Sequence, residues 1–356
     1  MPRALPVCPR CLKAGNEYAL KVALDTHKRI MAKEGLTVPE RRSSSQVLCR
    51  LCANHCALGE GQRGLCDVRV GQKGSVKYVF PNGKTAAVDF YYDPLPTNCC
   101  ASFVCPAGTG AGFPHYAYRD GPEFGFVNLA VFYEACNFHC LFCQNYHFRN
   151  HKKVGRKTLT PEEIVLAITK RTSCICFFGG DPTPQLPHAL LVSKLAKQAH
   201  KGRILRICFE TNGATSRALL EAMIEVCLES GGCIKFDLKA WDNNIHRALC
   251  YASNEATLEN FEFASRFVSK RKTPPLLIAT TLLVPRYVDE QEVSNIARFI
   301  ASLDKDIPYS LLVFRGAYHF SDLPATPKEQ VLRCLEAAKT QGLTRVHLGN
   351  MHLLSI

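Results

Sequence analysis

The chain has 356 residues, which is long enough for one large α/β domain with a smaller module. Its content of 47% hydrophobic and 21% charged residues is typical of a globular protein, and no run of about 18 apolar residues occurs, so we expect no membrane contact and a cytoplasmic location. Lysine and arginine outnumber aspartate and glutamate by 44 to 31, but the basic residues are spread along the chain, so the charge does not favour a nucleic-acid site and does not exclude one.

Cysteine is the most informative residue type, with 19 in the chain. A disulfide scaffold is normally short and exported, whereas closely spaced cysteines in a reducing compartment are typical of metal or cluster sites. Nine cysteines lie in the first 105 residues, and three form a tight set within residues 136–143. We therefore expect metal chemistry.

Residues 1–82 are predicted to be a Cys-rich metal-binding module, with a helix around residues 16–34 and a hairpin at 74–80. Four soft ligands lie within 18 residues of it, namely Cys49, Cys52, Cys56 and Cys66. This spacing suits a structural zinc ion or an auxiliary Fe–S cluster and does not separate the two. A second site is open to the remaining early cysteines, which are Cys8, Cys11, Cys99, Cys100 and Cys105.

Residues 83–124, rich in proline, glycine and aromatic residues, are predicted to be an extended linker. Across residues 125–356, short apolar β-rich runs alternate with amphipathic helical patterns, which is typical of a parallel sheet buried on both faces. Six such units predict an α/β fold of the partial TIM barrel type, (β/α)6, whose functional groups gather at the C-terminal ends of the strands. The isolated cysteines of this region are predicted to be small core residues: 174, 176, 208, 227, 233, 250 and 334.

The first predicted barrel strand ends directly in Glu-Ala-Cys136-Asn-Phe-His-Cys140-Leu-Phe-Cys143. Three thiolates with spacings of three and two residues can ligate three irons of one [4Fe–4S] cluster. The fourth iron stays open to a small molecule that chelates it through an amino and a carboxylate group. A zinc site completed by His139 or His147 is the weaker alternative.

This Cys-x3-Cys-x2-Cys loop resembles the signature of the radical S-adenosylmethionine (SAM) superfamily. The resemblance implies that Cys136, Cys140 and Cys143 hold a cluster that cleaves SAM reductively to a 5′-deoxyadenosyl radical, which abstracts hydrogen from a substrate. It also implies that Phe142 lies against the adenine of SAM. The strand-end residues Gly179, Gly180 and Asp181 resemble the family's Gly-Gly-Glu motif, which holds the SAM amino group.

The ends of the next two strands resemble those of the pyruvate formate-lyase activating enzyme branch. The corresponding residues are Glu210, Thr211 and Asn212 on one strand and Asp237 and Lys239 on the next. By this resemblance they surround the methionine part of SAM, with Lys239 as the partner of its carboxylate. Taken singly, each of these acids also suits a helix N-cap.

The cysteine-rich part resembles the radical SAM component of the AmmeMemoRadiSam system, so that the likeness covers residues 47–70 and 86–350. The activating branch implies a protein or peptide backbone as substrate, with abstraction at a glycine Cα, and a one-electron donor such as flavodoxin or ferredoxin. Modification of RNA or of a small molecule by the same radical is the enzymatic alternative. A non-catalytic zinc or Fe–S adaptor is the alternative of another class.

Overall fold

The computed structural model describes residues 1–36, 38, 46–80, 84–150 and 156–354, and the boundary predicted after residue 82 lies outside them. The strands are β1 (Val47–Leu48), β2 (Ala57–Leu58), β3 (Arg69–Gln72), β4 (Ser75–Tyr78), β5 (Ala86–Pro94), β6 (Val127–Tyr133), β7 (Thr158–Leu159), β8 (Thr172–Gly179), β9 (Arg206–Thr211), β10 (Ile234–Asp237), β11 (Leu277–Leu283), β12 (Tyr309–Val313) and β13 (Val346–Gly349). The helices are α1 (Pro9–Lys13), α2 (Glu17–Lys33), α3 (Pro106–Thr109), α4 (Pro161–Leu166), α5 (Leu186–Ala199), α6 (Arg217–Ser230), α7 (Asn243–Cys250), α8 (Glu255–Ser265), α9 (Glu290–Leu303) and α10 (Lys328–Lys339). Within the described ranges, no helix is both long and apolar enough to cross a membrane.

Nine strands form one sheet in the order β13-β12-β11-β10-β9-β8-β6-β5-β7. All neighbours from β6 to β13 are parallel, whereas β5 runs antiparallel to β6 and to β7. Crossover helices cover the sheet, as α6 illustrates, because Leu220, Ile224 and Cys227 recur at helical spacing and are all buried. β7 and β13 are the edges, so the sheet stays open, and the predicted α/β partial barrel is confirmed.

The first 36 residues pack directly on the barrel. Helix α2 matches the helix predicted at 16–34, and the Asn16 side chain caps it by accepting a hydrogen bond from Ala19 N at 2.9 Å. The Lys13 ammonium lies 3.3 Å from the carboxylate of Glu292, a buried residue of α9. Four further side chains of this segment belong to the main hydrophobic core: Leu5, Val7, Leu12 and Ala23.

The Cys-rich front, residues 46–80, consists of two small sheets, β1–β2 and β3–β4. The second is a hairpin close to the one predicted at 74–80, with Gly74 in its turn at a φ of 68°. The front docks on the loop after β9, where Ala53 N donates to Ala214 O and Ser216 N donates to Leu51 O, both at 3.0 Å. This docking places the front beside the C-terminal ends of the parallel strands.

Part of the segment predicted to be a linker is a strand of the barrel sheet. Strand β5 pairs with β6 from Val88 opposite Tyr133 to Pro94 opposite Val127, and its first two residues pair with β7. Its first residues are apolar and fully buried, which explains why this stretch joins the sheet.

Residues 95–107, here called the plug, fill part of the gap that the open barrel leaves. The Phe103 ring stacks on His347 of the edge strand β13, with 4.4 Å between ring centroids. Ala101 is 1% exposed and packs against Cys233, the residue before β10. The plug therefore closes part of the barrel interior.

A buried ion pair fastens the segment that follows the plug. Glu123 and Arg206 are 0% and 1% exposed, and the Arg206 guanidinium donates to both Glu123 oxygens, at 2.8 and 2.5 Å. The same guanidinium donates to the Tyr116 carbonyl at 2.9 Å, and the Ser173 hydroxyl donates to the Glu123 carboxylate at 2.7 Å. Every charge in this cluster is thus paired.

Glu123→Gln should lower the free energy of unfolding by about 3–5 kcal/mol, because it leaves the Arg206 guanidinium buried without its charge partner. Glu262→Gln is the matched control, since it breaks an exposed ion pair with Arg266 at 3.4 Å and should cost less than about 1 kcal/mol. Urea unfolding of both variants in the same cofactor state measures the difference. Equal losses of unfolding free energy in the two variants would contradict a stabilising role of the buried Glu123–Arg206 pair.

Candidate active site

The three-cysteine loop, residues 134–143, follows β6, the first of the parallel strands. The end of α7 holds its backbone, because Leu141 N donates to Leu249 O at 3.0 Å and His139 N donates to Cys250 O at 2.9 Å. The loop therefore stands at the C-terminal edge of the sheet, where barrel enzymes carry their functional groups.

The three thiols of this loop lie in a dry environment. Burial and the neighbouring Asp181 carboxylate raise the pKa of Cys136 well above its ordinary value, and a hydrogen bond with Cys250 together with burial does the same for the pKa of Cys140. Burial raises the pKa of Cys143 to about 11. Thiols in such a place become thiolates when they coordinate a metal centre, which deprotonates them.

The number of loop thiols fits a [4Fe–4S] cluster. In such a cluster each cysteine holds a different iron, so three thiolates leave one iron open. The three loop thiols are not among the described residues that bring three potential ligand atoms within 4.8 Å of one another, which are Cys99, Cys100 and Glu210.

Arg149 supplies a cation beside the loop. Its guanidinium donates to the Phe138 carbonyl at 2.8 Å and interacts electrostatically with Cys136 and Cys143. Its buried Nε has no hydrogen-bond partner among the described residues. A negatively charged cluster on this loop fits that cation.

The Gly-Gly-Asp motif after β8 lies against the loop backbone. Gly180 N donates to Tyr133 O at 2.9 Å, and Asp181 N donates to Ala135 O at 2.7 Å. A Cβ on Gly180 would lie 2.3 Å from Ala135 O, and one on Gly179, at a φ of 118°, would lie 2.6 Å from Tyr133 N. The two glycines are therefore required for the two strand ends to meet.

Asp181 connects the ends of β8 and β9. It is 3% exposed, and its carboxylate accepts from Thr183 N at 2.8 Å, from Asn212 N at 2.7 Å and from the Thr211 hydroxyl at 3.1 Å. Burial raises the pKa of Asp181. Asn212 in turn donates to Asn137 Oδ1 of the three-cysteine loop at 2.8 Å, so one network joins three strand ends.

Asp237, Lys239 and Phe142 form a separate group. The Lys239 ammonium donates to the Asp237 carboxylate and lies 5.7 Å from the centroid of the Phe142 ring. Burial alone would lower the pKa of Lys239, but the Asp237 carboxylate together with Cys140 and Cys250 outweighs it, and the pKa is well above its ordinary value. Phe142 is 3% exposed, with its centroid 6.4 Å from that of Phe320, so its ring belongs to the core in this structure.

Glu210 lies apart from both groups. Its carboxylate pairs with the Lys235 ammonium at 3.2 Å, and both side chains line a cavity of about 320 Å³ inside the barrel. The prediction of core cysteines is correct for six of the seven, which are buried: Cys174, Cys176, Cys227, Cys233, Cys250 and Cys334. Cys208 is half-buried, and together with Cys174, Cys176 and Cys233 it also lines this cavity. Alternate residues of a strand face opposite sides of the sheet, so one residue of a strand can line the cavity while its neighbour faces away from it.

His139 is turned towards helix α2 and away from the role of a fourth zinc ligand. Its Nδ1 lies 2.9 Å from His27 Nδ1, and its Nε2 lies 3.0 Å from Glu34 Oε2. Burial lowers the pKa of His139 to about 4 and that of His27 to about 3. Glu34 also lies 3.0 Å from His319 Nε2. Sequence reasoning missed this network, because it found the helix at 16–34 without any indication of its partner.

The four cysteines of the Cys-rich front face one small cavity, which Asn137 of the three-cysteine loop also lines. Burial raises the pKa of Cys52 and Cys56, and raises that of Cys66 to about 12. Gly64 leaves space between two of the thiols, since a Cβ there would lie 3.6 Å from Cys56 Sγ and 3.8 Å from Cys66 Sγ. Four soft donors thus share one place beside the loop.

Several relatives resemble this chain. An uncharacterized protein of Methanocaldococcus jannaschii is 26% identical over 317 residues, which are 88% of this chain and 84% of that protein. Pyruvate formate-lyase 1-activating enzyme of Escherichia coli K12 is 28% identical over 144 residues, 39% of this chain and 55% of that enzyme. Isethionate sulfite-lyase activating enzyme of Oleidesulfovibrio alaskensis is 28% identical over 164 residues, 44% of this chain and 48% of that enzyme. The chain thus spans about half the length of these two activating enzymes.

The family model of the radical SAM superfamily matches residues 130–300, which begin in β6 and end in α9. This range includes the three-cysteine loop and the ends of β8, β9 and β10. Residues 130–300 therefore form a radical SAM domain, an enzyme domain that uses a [4Fe–4S] cluster and SAM as cofactors.

Proposed function

We propose that Cys136, Cys140 and Cys143 each hold one iron of the [4Fe–4S] cluster, and that SAM binds beside them at the ends of β8, β9 and β10. The position of the three-cysteine loop carries this proposal, because hydrogen bonds join it to Asp181 on one strand end and to Asn212 on the next. When bound, the cluster and SAM together supply reductive cleavage of SAM to methionine and a 5′-deoxyadenosyl radical. A non-catalytic adaptor does not fit an enzyme of this superfamily.

Two side chains are our proposed contacts for the methionine part of SAM. An ionised carboxylate accepts about four hydrogen bonds, and Asp181 already has four internal donors, so the SAM ammonium takes the place of one of them. The Lys239 ammonium has donors beyond the one that it directs at Asp237, and it provides a cation for the SAM carboxylate. Thr211 and Asn212 keep Asp181 in place.

We infer that the abstracted hydrogen comes from a protein or peptide backbone, at a glycine Cα. The relatives named as activating enzymes of pyruvate formate-lyase and isethionate sulfite-lyase support this substrate class. A donor such as flavodoxin or ferredoxin supplies the electron, and the net charge of +13 favours encounter with an acidic protein of that kind. RNA and small molecules are the alternative substrates.

We also propose that Cys49, Cys52, Cys56 and Cys66 hold a structural metal centre, either zinc or an auxiliary Fe–S cluster. The shared cavity of the four thiols supports this proposal. Metal binding there stabilises the front against the strand ends, because the cavity includes Asn137 of the three-cysteine loop.

Deuterium transfer tests the substrate class. Reduced enzyme incubated with SAM and a peptide library deuterated at the glycine Cα should release 5′-deoxyadenosine that contains deuterium, as measured by mass spectrometry. The same library deuterated only at the alanine Cα is the control and should give unlabelled product. Unlabelled 5′-deoxyadenosine from both libraries would contradict the glycine proposal. An RNA substrate would instead stimulate SAM cleavage in a strongly salt-dependent way.

Gly180→Ala should slow SAM cleavage about tenfold or more, because its methyl group collides with the Ala135 carbonyl and displaces the three-cysteine loop. Overpacking of this kind costs about 1–3 kcal/mol, and about 1.4 kcal/mol corresponds to a factor of ten. Gly202→Ala is the matched control, since that glycine has a φ of 83° but no atom within 4 Å of its Cβ position. It should cost only about 1–2 kcal/mol of local stability and leave cleavage unchanged. Equal rates of 5′-deoxyadenosine release per bound cluster in the two variants would refute this role of Gly180.

A further inference from the structure

The barrel cavity contains a group of side chains that the proposed function does not use. Cys99 and Cys100 come from the plug, and Glu210 comes from β9. One ligand atom of each lies within 4.8 Å of those of the other two. Cys100 is 9% exposed, and the Glu210 side chain, which also lines the cavity, is 40% exposed. The group is therefore buried on one side and open to the cavity on the other.

Lys235 determines the charge of this group. It is 2% exposed, and its ammonium lies 3.3 Å from Cys99 Sγ, 3.1 Å from Cys176 Sγ and 3.2 Å from the Glu210 carboxylate. A buried ammonium requires a compensating negative charge, and Glu210 provides one. The Lys235–Glu210 pair is neutral as a whole, so two thiolates in the plug would leave a net charge of about −2 for a bound cation to balance.

We propose that Cys99, Cys100 and Glu210 bind one Zn²⁺ ion inside the barrel. Two thiolates and a carboxylate are ligands that zinc accepts, and their mutual distances are those of ligands around a single ion. A coordinated thiol is deprotonated, so the two charges of the ion match the two thiolates while Lys235 balances Glu210. The whole group is then neutral, as a low-dielectric interior favours.

The zinc site has a structural and a chemical consequence. The ion joins the plug to the barrel wall, because Cys99 and Cys100 lie in the plug and Glu210 lies on strand β9. Three protein ligands also leave the fourth tetrahedral position to a water molecule or a substrate atom. The cavity is shared with Asn145, which lies two residues after Cys143. The ion and the segment directly after the three-cysteine loop thus border one chamber, where zinc can bind a thiol, carboxylate or carbonyl group of the substrate.

Metal counting on anaerobically purified full-length protein tests this site and requires neither the cluster's activity nor SAM. Cys99→Ser/Cys100→Ser should lose about one zinc per chain and keep the iron content of the parent protein. Cys105→Ser is the matched control, because this thiol lines the same cavity but lies outside the ligand group, and it should keep all zinc. Equal zinc content in the double variant and the parent would overturn the proposal.

Glu210→Gln provides a second test in which both thiols remain in the plug. Its affinity for Zn²⁺, measured by competition with a chelator, should fall about tenfold or more, since a charged ligand is replaced by a neutral one. Co²⁺ bound in place of zinc should show thiolate-to-metal absorption in the parent and in Cys105→Ser, and none from this site in the double variant. An unchanged zinc affinity in Glu210→Gln, or the same cobalt spectrum in all variants, would refute the site. Zinc held by the Cys-rich front is counted separately through Cys49→Ser/Cys52→Ser.

Discussion

The backbone contact between the ends of β6 and β8 is the interaction on which the site depends. The Asp181 amide donates to the Ala135 carbonyl at 2.7 Å. Residue 180 must be glycine for this contact, because the Ala135 carbonyl leaves no room for a side chain there. Because parallel strands end at the same edge of a sheet, this contact also brings the three-cysteine loop to Asn212 on β9. The proposed cluster ligands and the proposed SAM contacts then share one framework of strand ends, which does not rely on a mobile loop.

Local sequence patterns were sufficient for the barrel and for the place of the three-cysteine loop. Continuous apolar strands and amphipathic helices are local features, and the capped helix α2 and the hairpin β3–β4 were found in the same way. The pairing of β5 with β6 was not predicted, because residues 83–124 are rich in proline and glycine and their strand pattern is short. The close approach of the strand-end glycines to another segment's backbone was not predicted either.

The parts that sequence reasoning missed all depend on contacts between distant segments. His27 and His139 meet across the interface between α2 and the barrel, and nothing local to either residue indicates the other. Cys176 and Cys233 are buried, as their apolar runs predict, but the chamber inside the barrel that both also line was not predicted. That chamber exists because the plug covers part of an open barrel. Its thiols and the Lys235–Glu210 pair make it chemically distinct from an apolar substrate pocket.

Release of 5′-deoxyadenosine and methionine tests the central claim most directly. Anaerobically reconstituted protein with dithionite and SAM should form both products, and replacing Cys136, Cys140 or Cys143 with alanine should abolish them. Cys250→Ala is the matched control, because this buried thiol touches Cys140 without belonging to the loop, and it should retain cleavage. Undiminished release from any of the three loop variants would contradict the account.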